Sequence, residues 1–280
     1  MISMHTSPLA ALGRTRDAGG MNAYIRGLAR ELGRGGMYVD IFTRRADPST
    51  PIIQFLSDQV RLITLPAGPA IPLPPNELFP YVREFTLQIE HFAAGREHGY
   101  NLLHSHYWLS ADAALPLAAA WDVPHVTMFH TVERLKHEQY TLREDDSPAA
   151  RIRIEQERRI AQSVDAIVVS TEHERERLRS LYCLPASRLH VIPCGVDLIT
   201  FEPGSPTARA EARARLHADE RPMLLFVGRL DSIKDLDLLL TGLSRMCEKA
   251  VLHIVGGMAQ GDPEVERLRA LSAKLGVAER

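Results

Sequence analysis

The chain has 280 residues, 45% of them apolar and 24% charged, with a formal net charge of -2 at pH 7. That is a globular composition, long enough for two ordinary domains and without the massed basic surface that nucleic acid requires. Cys183, Cys194 and Cys247 form no C-x-x-C pair, which argues against a disulfide framework or a zinc site and fits a reducing cytoplasm, and no run has the length and apolarity of a bilayer span.

The first apolar run, "MISMH" (1–5), reads as a strand that exits into "HTSPLAALGRTRDAGGMN". Gly19 and Gly20 then stand at the head of a helix whose stripe is Tyr24, Ile25, Leu28 and Leu32. Free backbone N–H groups there attract an anion, and a plain tight loop is the alternative. Asn22 follows as a hydrogen-bonding group or a cap.

Further strand-like runs are "YVDIFTR" (38–44), "VRLITLPA" (60–67), "LLHSHY" (102–107), "HVTMFHT" (125–131), "AIVVST" (166–171) and "RLHVIPCG" (188–195). Most are apolar throughout, as strands covered on both faces are, so the class is α/β with parallel sheets. Ligands then sit beyond the carboxyl ends of the strands, where this chain concentrates polar residues. His104 and His106 face one side of their strand; a structural pair is the ordinary reading, and no third residue is spaced for a metal. His130 ends an apolar strand beside Thr131 and suits a substrate hydroxyl, or else is a satisfied core histidine. A helix with alternating charge begins at Pro148.

A shift in composition over 196–222 divides the chain into a first domain (1–200), a linker (201–221) and a second domain (222–280). The second domain opens with "PMLLFVGRL" (222–230) and continues through "VLHIVGG" (251–257). Arg229 and Lys234 leave its first strand five residues apart, a spacing that can hold a diphosphate. "DLD" (235–237) reads as a helix start, with a metal site as the competing view. Two β-α units are few for a doubly wound sheet, so a longer protein with a fuller second domain is expected. P-loop, nucleophile-elbow, zincin and dinucleotide-turn motifs are all missing from the sequence.

In order along the chain, "SMHTSPL", "DAGGMNAYIRGLARELGRGG", "LLHSHYWLS", "FHTVERLK", "VIPCGVDLITFEPG" and "FVGRLDSIKD" resemble the retaining nucleotide-sugar glycosyltransferases of the GT-B fold, with two Rossmann-like domains. The likeness is greatest to the branch of D-inositol-3-phosphate glycosyltransferases and sucrose-phosphate synthases. It implies transfer of a hexosyl group from a UDP- or GDP-hexose to a hydroxyl of a small polar acceptor, with no cofactor or metal required. It implies that Gly19 and Gly20 lie against the donor, that His130 touches the donor sugar, and that Arg229 and Lys234 grip its diphosphate. Asn22, Tyr107, Thr131 and Arg153, or in its place Arg151, are implied to bind the acceptor.

Three departures accompany the likeness. Pro75 and Asn76 stand where a lysine for acceptor phosphate is expected, and Asp235 replaces a glycine. The family's later pair of glutamates lies beyond Arg280, which leads us to expect poor turnover from these residues alone and keeps a non-catalytic sugar-phosphate or nucleotide binder as the alternative. Expected partners are small molecules, with peripheral membrane contact and a homodimer left open.

Overall fold

The computed structural model describes residues 1–10, 19–95, 99–140, 147–216, 220–231, 234–247, 249–257 and 262–280. They fall into two compact units, Met1–Ala10 with Gly20–Gly195 and a second containing Val196–Arg280.

Unit 1 is built on a mostly parallel sheet. β1 (Val39–Arg44) is buried along its whole length and pairs in parallel with β3 (Val60–Leu65), Val39 opposite Val60. β2 (Ile53–Phe55) adds an antiparallel edge on β3. On the other side β4 (Leu103–His106), β5 (His125–Met128), β6 (Ala166–Val169) and β7 (Leu189–Val191) run parallel in that order. The opening residues join the two halves. Ile2 bridges in parallel to Phe42 and to Ser105, its N–H donating to the His104 carbonyl at 2.9 Å, while the Ser3 N–H donates to that of Phe42 at 2.8 Å.

Side chains alternate across a strand, so neighbouring residues of β1 and β3 serve opposite faces. Ile41 and Leu62 pack with Ile25 and Ala29 of α1 (Gly20–Arg34). Phe42 and Ile63 belong to the larger core, with Phe85 and Ile89 of α2 (Val82–Ala94), Leu109 and Ala113 of α3 (Trp108–Trp121) and Ile160 of α5 (Pro148–Ser163). Each such buried Ile, Leu or Phe contributes ~1.5–3 kcal/mol. α4 (Glu133–Tyr140) and α6 (Glu172–Tyr182) complete the unit. α5 starts as its sequence demands: Pro148 fills the first helical position and the Ser147 hydroxyl accepts from the Ala150 N–H at 3.2 Å.

In unit 2, β8 (Met223–Val227) pairs in parallel with β9 (Val251–Val255). α8 (Leu236–Arg245) and α9 (Pro263–Lys274) cover them through Leu236, Leu240, Leu243 and Leu268. α7 (Pro206–Arg215) buries no residue, in keeping with its Ala/Arg/Glu composition. Among the described residues, no helix is long and apolar enough to cross a membrane.

Candidate functional site

The carboxyl ends of β4, β5 and the opening strand segment carry the polar residues of unit 1. β5 exits through His130 at φ 60°, and β4 through Tyr107 at φ 76°, ψ 155°. That Tyr107 conformation is nearly glycine-only and costs ~1–3 kcal/mol. It is held because the Tyr107 N–H donates to the Met128 carbonyl at 2.9 Å and its ring packs on His5, centroids 4.3 Å apart.

The Tyr107 hydroxyl leads to the centre of the site. Arg153, from the buried face of α5, makes four hydrogen bonds and a further ion pair. Its Nε donates to Glu157 Oε1 at 2.7 Å, Nη1 to the Tyr107 hydroxyl at 2.9 Å, and Nη2 to the carbonyl and hydroxyl of Thr131 at 2.9 and 3.1 Å, while Glu133 Oε2 lies 2.7 Å from Nη1 as an ion pair. Tyr107, Thr131 and Arg153 are therefore brought together, while Arg151 lies exposed on the other side of the helix.

Two residues that sequence reasoning passed over complete this cluster. Glu157 is fully buried and also accepts from the Glu133 N–H at 2.9 Å and the Tyr182 hydroxyl at 3.4 Å. Burial pushes its carboxyl pKa up, against the pull of Arg153. Glu133, in the first turn of α4, also meets the Lys136 ammonium at 3.3 Å. Burial works to lower the pKa of Arg153, but Glu157, Tyr107 and Glu133 outweigh it and raise the pKa. Burial and then Arg153 lower that of Lys136. The available signal was the i,i+4 spacing of Arg153 and Glu157.

Histidines form the other half of the edge. His104 and His106 stack at 4.3 Å, and His106 Nδ1 lies 3.1 Å from His130 Nε2. Tyr24 meets His130 edge-on at 5.4 Å. Burial lowers every one of these imidazoles: His130 to about 4, His104 to about 3, and His106 well below its usual value, so all are neutral near pH 7. His106 Nε2 is buried without a partner. An unpaired lone pair costs less than an unpaired N–H, so the network assigns the His106 proton to Nδ1, donating to His130 Nε2. His130 then carries its own proton on Nδ1. Among the described residues, no group of three His, Cys, Asp or Glu side chains is arranged to hold a metal ion.

Asn22 is fully buried, and its amide donates to the Thr6 hydroxyl at 2.8 Å and the Ser7 carbonyl at 2.6 Å. It ties the segment after the first strand onto α1. A Cβ at Gly19 or Gly20 would meet no described atom within 4 Å, and neither residue has positive φ. In unit 2, Arg229 follows β8 and pairs with Asp231 at 2.8 Å, and Lys234 is exposed. Asp235 (φ 52°) precedes α8, and Asp237 in its first turn binds Arg267 at 2.8 Å. Pro75 and Asn76 lie in a short 3-10 turn, Pro75–Glu77.

Comparison with known proteins places this geometry. Residues 18–199 match the model of Glycosyltransferase Family 4. The whole chain is 39% identical to a D-inositol 3-phosphate glycosyltransferase of Xylanimonas cellulosilytica, spanning 68% of that protein. It is 37% identical to one of Mycobacteroides abscessus, spanning 62% of it. It thus covers about two thirds of the length of these relatives. The sucrose-phosphate synthase of Thermosynechococcus elongatus superposes on the whole chain with a TM-score of 0.85 at 29% identity, 68% of that structure being covered. An Anabaena structure in complex with UDP and glucose shares the fold, with a TM-score of 0.65 at 15% identity over the whole chain and 67% of its own length. With Rossmann-like α/β units, polar strand exits and these matches, the chain belongs to Glycosyltransferase Family 4, enzymes of the GT-B fold.

Proposed function

We propose that this protein transfers a hexosyl group, with retention, from a nucleoside diphosphate sugar, UDP- or GDP-hexose, to a hydroxyl of a small sugar or polyol in the cytoplasm. The observation that carries this reading is the position of Arg229 and Lys234, immediately past β8 at the carboxyl edge where parallel sheets take ligands. A guanidinium fork and an ammonium there would hold the diphosphate and stabilise its charge on departure. Gly19 and Gly20 support the reading. Neither packing against described residues nor backbone angle demands glycine, which is in keeping with close approach of donor sugar and phosphate.

In unit 1, His130 would present its Nδ1 proton to a donor-sugar hydroxyl. Asn22, Tyr107, Thr131 and Arg153 would shape the acceptor side, Asn22 by fixing the segment at 6–7. Glu133 and Glu157 are both engaged with Arg153, which disfavours a covalent glycosyl-enzyme and favours front-face attack, the departing phosphate taking the acceptor proton. Catalysis then rests on positioning and leaving-group stabilisation, which calls for no cofactor.

Calorimetric titration with UDP and GDP, paired with a donor and acceptor screen that reads released nucleoside diphosphate, tests this. Saturable binding that weakens in Arg229→Ala is expected, with turnover of the full-length enzyme falling on the order of 10²-fold or more. A chain that binds neither nucleotide overturns the proposal.

A further inference from the structure

The Arg153 cluster is closed to anions. The Arg153 side chain is 9% exposed, and each of its three nitrogens already donates to a protein acceptor, with Glu133 as a further ion-pair partner. Two of these partners are carboxylates. Lys136 is the other cation of the cluster, 32% exposed, and its ammonium also rests on Glu133. Two positive and two negative groups therefore balance, and Glu133 Oε2 lies between the two cations, 2.7 Å from one and 3.3 Å from the other.

Glu133 is held there by more than charge. It stands in the first turn of α4, where the helix dipole favours a carboxylate, and its N–H anchors to Glu157. The flanking segment offers no substitute cation. Residues 66–81 contain neither lysine nor arginine, and Phe79 from this stretch packs on Trp108 with centroids 5.5 Å apart. Arg44, a guanidinium that reaches that segment, is spent on the carbonyls of Pro69 and Ile71, both at 2.7 Å.

We propose that Glu133 is a specificity-determining residue, a built-in carboxylate that occupies the anion seat of the acceptor site and so selects an uncharged, hydroxyl-bearing acceptor over a phosphorylated one. This rests on the reading of unit 1 as the acceptor side. A phosphate entering the cluster would have to displace the carboxylate from both cations or face it across an otherwise neutral site. A hydroxyl does neither, because it carries no charge to oppose the carboxylate and its O–H donates toward it. The side chain thereby rejects one chemical class and binds the other.

The test is titration of inorganic phosphate, and of a hexose phosphate beside its parent hexose, into the chain and into Glu133→Gln and Glu133→Ala. The glutamine keeps the volume and guards against a folding failure of the alanine variant. Phosphate affinity should rise at least ~10-fold in the variants, and Lys136→Met added to Glu133→Gln should remove the gain. Phosphate binding as tight to the unaltered chain as to both variants overturns the proposal, as does tighter binding of the hexose phosphate than of the hexose by the unaltered chain. Failure of the transferase reading would appear elsewhere, as absent nucleotide binding and indifference to Arg229→Ala.

Discussion

His106 Nδ1 lies 3.1 Å from His130 Nε2, and with the proton assigned to His106 the bond requires a bare, neutral acceptor ring at His130, while burial keeps His106 neutral. It sits in a set of imidazoles that burial keeps unprotonated: His130 and His125 to about 4, His5 and His104 to about 3. An unfolded histidine titrates at about 6.5. Between that value and the folded ones, the unfolded state binds protons that the native state refuses, so stability falls as pH falls from about 6.5 to about 4. Each ring contributes at most ~1.4 kcal/mol per pH unit, and none contributes above pH 7. Urea denaturation at pH 7.5 and pH 5 should show the drop, and His104→Phe should make it shallower. Equal stability at the two values would contradict the assignment.

Arg153→Met should cost ~3–5 kcal/mol, because it strands the buried Glu157 carboxylate and removes one of the two cations that face Glu133. Adding Glu157→Gln should recover part of the loss. Chemical denaturation of the two variants decides it, and a double variant less stable than the single one would show that the ion pair is not the source.

Gly20→Ala should leave stability within ~0.5 kcal/mol, since its Cβ meets no described atom, while weakening nucleotide-sugar binding. Gly68→Ala should do the reverse. At φ 64°, with a Cβ 2.6 Å from the Tyr81 ring, it should lower the melting temperature and leave nucleotide binding intact. Thermal melts and calorimetry on the pair separate a glycine kept for a ligand from one kept for the fold.

Much of the architecture was legible because a strand buried on both faces must be apolar throughout, as β1 and β3 are. β2 escaped notice because three edge residues, two of them exposed, leave almost no pattern. The cluster at Arg153 was legible in part. Tyr107, Thr131 and Arg153 stand out by resemblance, but Glu133 and Glu157 look like any acids of an exposed, charge-alternating helix until the fold turns them inward. Asn22 shows the same limit, since a sequence cannot tell a side chain that greets a ligand from one that clamps its own loop. The left-handed Tyr107 is equally silent, because only the surrounding contacts hold a bulky residue there.

The bridge made by Ile2 sets a timetable for synthesis. Its partners are Phe42 and Ser105, so the middle of the sheet cannot close until more than a hundred residues have left the ribosome. At ~5–20 residues per second, that is a wait of roughly 5–20 s. During it, the edge of β1 that Ile2 will cover is an open template for other nascent chains, an exposure built into the strand order itself.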